Sequence, residues 1–505
     1  MLTRRRFLIG SGVLVLGAPG CARWALVPAP ALVNDIHAQL NPTRVHRLVK
    51  PDTIQSLQES VRSARSEGRA VSIAGGRHAM GGQQFGTDTV LIDMTALDRV
   101  LSFDPERGLI EVEAGIQWPA LIDNLLRVQQ DRQPQLGIIQ KQTGADRLSI
   151  GGALSANIHG RGLRFKPIIG DVESFVLVDA EGNLRSCSRK ENSELFRLAI
   201  GGYGLFGVIA TVKLHLAPRS KLQRVVDMIE MNDLMSALDK RIADGFLYGD
   251  CQYAIDRNSD DFLRKGIFSC YRPVDARTPI MEGQKELSAD NWRELYYLAH
   301  TDPKRAFEVY SRFYLSSTGQ IYWSDTHQLS VYIDNYHQEL DKRLGATQRG
   351  TEMITEIYVP RNELTRFLVD VRKYLRENKV DLIYGTIRFI EKDDESFLAW
   401  AKQRYACVIF NLHVTHSTEG LERSAQAFRR LIDLAIPYGG SYFLTYHRWA
   451  TRKQVETCYP QFAEFLRLKR RYDPEERFQS DWYRHYKVMF ADVVNRSAGK
   501  AFLRG

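Results

Sequence analysis

The sequence predicts an α+β protein in two parts: a first domain of strands and short helices, and a second, larger α+β domain after it. Three observations carry this. A β-α-β unit opens the folded region, glycine-rich stretches recur three times in the first half and then stop, and beyond about residue 218 the chain turns to longer aromatic- and charge-rich helices interleaved with strands. With 505 residues, 44% hydrophobic and 26% charged, there is material for two or three cores, which excludes a disordered or fibrous chain. No stretch repeats with the period of a solenoid or propeller.

The first segment is set apart from the fold. Thr3-Arg4-Arg5-Arg6-Phe7-Leu8 precedes a short apolar run, Ile9 to Leu16, broken by Gly17 and Pro19. Residues 1–21 therefore read as a twin-arginine export signal, since a run of about ten apolar residues is half of the roughly twenty that cross a hydrocarbon core. The expectation is an exported protein, periplasmic or associated with the cell envelope, with no transmembrane span. Cys21 follows Ala18-Pro19-Gly20 and is a candidate for a lipid anchor. Cys187, Cys251, Cys270, Cys407 and Cys458 are scattered, so neither a zinc site nor a disulfide framework is indicated, and no metal is expected. The formal charge of +9 falls to +6 once Arg4, Arg5 and Arg6 are removed. No basic run interleaves with aromatics as a nucleic-acid groove would require, and Arg467-Leu468-Lys469-Arg470-Arg471 reads as a solvated helix face.

Residues 22–39 read as a tether. Asp52-Thr53-Ile54-Gln55 then opens a helix with a capping-box pattern, apolar positions at Ile54, Leu57, Val61 and Ala64, and Gly68 as its stop. Ala70 to Ala74 reads as a buried strand, Gly75 to Gly82 as a loop, and Val90 to Met94 as the next strand. Further strands are expected at Leu109 to Ala114, Ser174 to Val178, Leu184 to Ser188 and Val208 to Leu216, with Glu181-Gly182-Asn183 as a hairpin turn. In the second domain, residues 218–455, strands are expected at Glu356 to Val359, Tyr384 to Ile390, Val408 to Val414 and Tyr442 to Tyr446.

The chemistry lies in the glycines. Ala74-Gly75-Gly76-Arg77-His78-Ala79-Met80-Gly81-Gly82-Gln83 carries a glycine pair at each end of the loop, exposing backbone N–H groups in a concave nest suited to a pyrophosphate. The spacing is not G-x-G-x-x-G and no helix pattern follows directly, which argues against a Rossmann site. On glycine content alone, simple turn chemistry accounts for roughly a third of such loops. Two further segments, Thr143 to Gly162 and Gly201 to Ile209, change that balance. Three such loops at strand ends imply close backbone approach to one large, flat, phosphate-bearing ligand.

The runs GGRHAMGGQ, SIGGALSANIHGRG and ELFRLAIGGYGLFGVI together resemble the FAD-binding domain of the vanillyl-alcohol oxidase family over roughly residues 40–217, with patterns nearest those of cytokinin dehydrogenases and of sugar-lactone and alditol oxidases. The resemblance implies FAD attached covalently through His78, and through one bond only, since no cysteine lies between Thr143 and Gly162. It implies cofactor contacts from Ala74, Gly75, Gly76, Arg77, Ala79 and Gln83, from Thr143, Ser149, Gly151, Gly152, Ser155, Asn157, His159 and Gly160, and from Gly207, Val208 and Ile209. Residues 456–505 are similar to the family's returning segment, on the D-P-x-x-x-F pattern at Asp473-Pro474-Glu475-Glu476-Arg477-Phe478.

For the substrate face the resemblance points to Gly385 to Phe389, Phe410 to His413 and Thr445 to Arg448. Strand alternation puts Thr386 with Arg388, and Asn411 with His413, on single faces. Thr386 replaces an acid and His447 a lysine of alditol oxidases, which weakens any assignment to polyols or lactones. His447 is expected as base or as the group near flavin N1, Arg388 as an electrostatic clamp, and Asn411 and His413 as orienting groups. The implied activity is FAD-dependent oxidation of a small organic substrate, such as a sugar lactone, alditol or other alcohol. An amine dehydrogenase of cytokinin type, a nicotinamide-dependent reductase and a non-catalytic flavoprotein of the same fold stay open. The electron acceptor is oxygen, a quinone or a small carrier. Ile158, just before His159-Gly160, is expected either to wall oxygen off from the flavin or to pack under the loop.

Overall fold

The computed structural model describes residues 30–330 and 333–494, so the twin-arginine segment and Cys21 lie outside the described residues. The first domain contains β1 (Ala31–Val33), β2 (Thr43–Val45), β3 (Arg47–Val49), α1 (Ile54–Ser66), β4 (Val71–Ala74), β5 (Val90–Asp93), β6 (Val100–Asp104), β7 (Leu109–Glu113), α2 (Trp118–Val128), β8 (Leu136–Ile138), α3 (Ile150–Ala156), β9 (Val172–Val178), β10 (Leu184–Ser188), α4 (Ser193–Ala199) and β11 (Val208–Pro218). Strands β3-β5-β4 form a parallel sheet, and β10-β9-β11-β7-β6 form an antiparallel one that β8 joins through β11.

The expected tether is corrected over residues 30–39, its residues 22–29 lying outside the described residues. β1 pairs antiparallel with β2, and Val33 and Val45 are buried with Ala74, Phe85 and Leu91. Between these strands short polar side chains hold the backbone: Asn34 Oδ1 accepts from the amides of Asp35 and Asn41, and Asn41 Nδ2 donates to Met80 O on the first glycine loop. Such side-chain to backbone bonds leave no apolar periodicity to read. Thr53 is the N-cap of α1, and its capping-box partner is Ser56. Leu57, Val61 and Ala64 are buried as expected for one stripe of an amphipathic helix.

The second domain adds β12 (Lys221–Glu230), α5 (Leu234–Ala243), β13 (Tyr248–Tyr253), β14 (Lys265–Pro273), α6 (Ala289–Thr301), α7 (Pro303–Ser316), β15 (Ile321–Trp323), α8 (Tyr336–Leu344), β16 (Gly350–Pro360), α9 (Leu364–Glu377), β17 (Leu382–Ile390), β18 (Tyr405–Thr415), α10 (Thr418–Ala435) and β19 (Ser441–Tyr442). Its strands form one sheet in the order β15-β12-β14-β13-β17-β18-β16-β19, antiparallel throughout. The strand expected at Tyr442 to Tyr446 stops at Tyr442, after which the chain turns, so alternation does not govern residues 443–448.

The described residues end in α11 (Arg452–Cys458), α12 (Phe462–Tyr472), α13 (Asp481–Met489) and α14 (Ala491–Val494). The basic run on α12 is corrected in part: Lys469 is fully buried and paired with Asp473, and Leu468 is buried beside it. Asp473 also accepts from the amides of Arg477 and Phe478. That turn carries Phe478 into the core against Leu57 and Val61, and brings it alongside Val71 of β4. No described helix is long and apolar enough to cross a membrane.

Candidate active site

The three glycine segments and one face of the eight-stranded sheet enclose a continuous cavity of about 740 Å³, within the range of cofactor and small-molecule sites. The first segment follows β4 directly. A side chain at Gly76 would collide with the carbonyl of Arg147, so only glycine lets this loop lie against the second segment. The second segment is not a loop throughout. Ser149 caps α3 by accepting from the Gly152 amide, and Asn157, at φ 50°, ends the helix in the left-handed conformation. In the third, Gly207 adopts φ 143° packed on Leu177, again a position closed to other residues.

Gly75, Gly76, Arg77, His78, Ala79, Gln83, Thr143, Ser149, Gly151, Gly152, Ser155, Gly207 and Ile209 line the cavity. The other expected contacts are set back from its wall among the described residues. Ala74 pairs in β4 with Asp93, Val208 pairs in β11 with Val178, and the Gly160 amide donates to Gln140 Oε1. Asn157 donates to Asp393 Oδ2 across the domain boundary, while His159 Nε2 lies 2.9 Å from Glu356 Oε2.

His78 Nδ1 lies 2.8 Å from His37 Nε2, and burial together with the positive charge of Lys141 and Arg147 holds the His78 imidazole well below its usual pKa, hence neutral. Gln83 Nε2 donates to the carbonyl and hydroxyl of Thr445, stitching the first glycine loop to the turn after β19.

The opposite wall is the sheet face bearing Asp250 and Gln252 of β13, Tyr384, Thr386 and Arg388 of β17, Ile409 and Asn411 of β18, and Ile354 and Glu356 of β16. Glu356 is fully buried at its centre. Tyr446 Oη donates to its Oε1 at 2.7 Å and Tyr358 Oη to its Oε2 at 2.9 Å. Burial alone would raise its pKa; the facing His159, the Arg388 guanidinium and the Tyr446 hydrogen bond outweigh that and hold it at about 2. With its amide oriented to satisfy both ends, Gln142 accepts from Arg388 Nη1 at 3.1 Å.

Two expected catalytic residues are corrected. His447 is off the cavity wall, its ring 3.8 Å from that of Trp449, because the turn after Tyr442 presents Thr445 and Tyr446 inward instead. His413 shares its sheet face with Asn411 but reaches past the end of the cavity into a cluster around Glu352. Arg388 and Asn411 do line the cavity, as does Ile158. The sequence reading missed Glu356 and Tyr446. A lone carboxylate inside the apolar run Met353 to Val359 was the available signal for the first.

The wall suits a polar ligand. Gln83 Oε1, Gln84 Oε1, Thr143 Oγ1, Asp250 Oδ1, Gln252 Oε1, Arg388 Nε and Asn411 Oδ1 are buried without a partner in the protein, a concentration that a folded interior does not tolerate for packing alone. Two adjoining guanidiniums, Arg161 and Arg224, share this end, with Asp250 4.0 Å from Arg161.

Glycine loops that admit backbone close to a ligand, facing a wall of convergent polar groups, define a nucleotide-cofactor enzyme. Comparison with known proteins names the cofactor. A family model described as an FAD binding domain matches residues 45–188, and one described as D-arabinono-1,4-lactone oxidase matches residues 312–486. The chain is 26% identical to L-gulono-1,4-lactone dehydrogenase of Mycobacterium tuberculosis over 446 residues, covering 86% of this chain and 95% of that protein. It is 22% identical to L-gulonolactone oxidase of Mus musculus over 453 residues, covering 86% and 93%. A mitochondrial L-galactono-1,4-lactone dehydrogenase of Oryza sativa subsp. japonica is 28% identical over 232 residues, covering 42% and 38%. The chain is an FAD-linked oxidoreductase, and these matches fit the vanillyl-alcohol oxidase family.

Proposed function

We propose that this enzyme oxidises a hydroxyl-bearing carbon of a sugar lactone, with FAD held covalently through His78. The observation that carries the reading is the buried group Glu356, Tyr446 and Arg388 on the wall across the cavity from the His78 loop. The lactone-specific names of relatives that align along nearly their whole length support the substrate class. FAD, when bound, supplies the two-electron acceptor that takes the hydride from the substrate carbon. The protein's part is to place that carbon and handle the hydroxyl proton. Arg388 binds substrate oxygen as charge develops. Tyr446 donates its own proton to Glu356, which leaves its oxygen free to accept the substrate hydroxyl proton. Asn411 and Gln252, with unpaired buried oxygens, accept from further substrate hydroxyls. This set compensates for Thr386, whose hydroxyl bonds the Cys251 carbonyl and carries no charge.

Oxygen is proposed to be a poor acceptor and a quinone or small carrier a better one, because Ile158 is buried on the cavity wall. Export by the twin-arginine route, which moves proteins already folded around their cofactors, accords with this reading. The test is an anaerobic panel of 1,4-lactones, alditols and amines, read by bleaching of the visible flavin band. Fastest bleaching by a lactone supports the proposal. Fastest bleaching by an amine transfers the enzyme to the amine dehydrogenase reading, and bleaching only by a reduced nicotinamide to the reductase one.

A further inference from the structure

Beyond the cavity's end, four elements of the second domain bring together His300 from the last turn of α6, His337 from the first turn of α8, Glu352 of β16 and His413 of β18. His300 Nε2 lies 3.4 Å from Glu352 Oε1 and 3.4 Å from His413 Nδ1, and His413 Nδ1 lies 3.9 Å from Glu352 Oε1. These are the edge lengths of a metal's coordination shell. The point equidistant from the three atoms is about 2.1 Å from each, the length of a zinc–imidazole bond.

The surrounding bonds favour the same conclusion. His300 Nδ1 is 2.8 Å from the Tyr296 carbonyl, which fixes the ring with Nε2 turned towards the cluster. Glu352 is held through its other oxygen, which accepts from Tyr336 Oη and lies 2.9 Å from His337 Nδ1. Its Oε1 is buried with no hydrogen-bond partner. Three potential ligand atoms thus converge on one point, an arrangement that a cation at that point would complete. A side chain at Gly350, on the edge of β16, would collide with the His413 ring, so this glycine is what lets His413 reach Glu352. His413 is one-fifth exposed, which leaves an entry path and room for a water as fourth ligand.

We propose that His300, Glu352 and His413 bind one divalent cation of the zinc class, with His337 and Tyr336 orienting the carboxylate. Two imidazoles and one carboxylate suit a borderline ion rather than calcium or magnesium. The ion ties α6, which contributes Trp292 and Tyr296 to the cavity wall, to the sheet that carries Arg388 and Glu356. It does not depend on the substrate proposed above.

The test uses the untagged holoprotein, stripped with EDTA and then titrated with zinc chloride by calorimetry, with retained metal measured after gel filtration. One zinc per chain is expected, with binding weakened about a hundredfold in Glu352→Gln and in His413→Ala, and with a thermal midpoint that zinc raises in the wild type but in neither variant. The visible flavin spectrum of each variant checks that it folds. A wild type that retains no zinc after gel filtration overturns the proposal, as does uptake unchanged in Glu352→Gln. Uptake lost only in Cys407→Ser would move the ion to the buried His159, Glu356 and Cys407 and would equally overturn it.

Discussion

At the scale of single residues, His78 and Glu356 show how differently two functional groups announce themselves. His78 was legible only through the resemblance carried by the run GGRHAMGGQ, since a lone histidine in a glycine loop reads by default as a turn residue, and the fold puts it on the cavity wall. Acid-precipitated protein should stay yellow, and His78→Ala should release its flavin into the supernatant; a colourless wild-type pellet would end the covalent assignment. Glu356 was hidden because its significance comes from Tyr446, His159 and Arg388, which lie tens of residues or more away in sequence and meet only in the folded sheet. Glu356→Gln should slow flavin reduction by about a hundredfold, whereas His447→Ala, away from the wall, should leave it nearly unchanged. The reverse ranking would restore His447. The pH dependence has a definite sign. Held at about 2 in the folded protein, the Glu356 carboxyl stays ionised above its ordinary value of 4.5, and its contribution to stability is lost only as pH falls from there towards 2. The reduction rate should therefore show no acid limb from this group between pH 5 and 9; such a limb, absent from Glu356→Gln, would contradict the assignment.

At the scale of elements, strand alternation was reliable where strands are long and failed where they end. Thr386, Arg388 and Asn411 face the cavity as alternation requires, but the turn after Tyr442 breaks the period and moves the inward position from His447 to Tyr446. The metal cluster was illegible for a related reason, since its members come from two helices and two strands and share no spacing that a linear pattern detects. Helix α3 has an oxygen-access consequence. Its left-handed end at Asn157 is fixed by bonds from the Asn157 side chain to Asp393 and from Trp400 Nε1 to the Asn157 carbonyl, so Ile158 has little freedom to swing from the wall. Reduced wild type in air-saturated buffer should reoxidise slowly and Ile158→Ala markedly faster. Fast wild-type reoxidation, or no gain in the variant, would remove Ile158 from the account and make the enzyme an oxidase.

At the scale of the whole molecule, the C-terminal segment packs onto the first domain, and the D-P-x-x-x-F pattern made that legible through the resemblance it carries. What the pattern did not disclose is the fastener, a fully buried Lys469 to Asp473 pair that holds the turn carrying Phe478 into the parallel sheet. Lys469→Met leaves an uncompensated buried carboxylate and should cost about 3 kcal/mol, read as a lower thermal midpoint; an unshifted midpoint would show that Phe478 packs without it. The central claim concerns the cavity between the two domains, and anaerobic rapid mixing tests it most directly, with the oxidised holoenzyme mixed against a 1,4-lactone in protiated form and deuterated at the reacting carbon. The predicted result is full bleaching of the flavin band, several-fold slower with deuterium, because the C–H bond breaks as the flavin is reduced. Failure of every lactone to bleach a flavin that another donor reduces at once would contradict it.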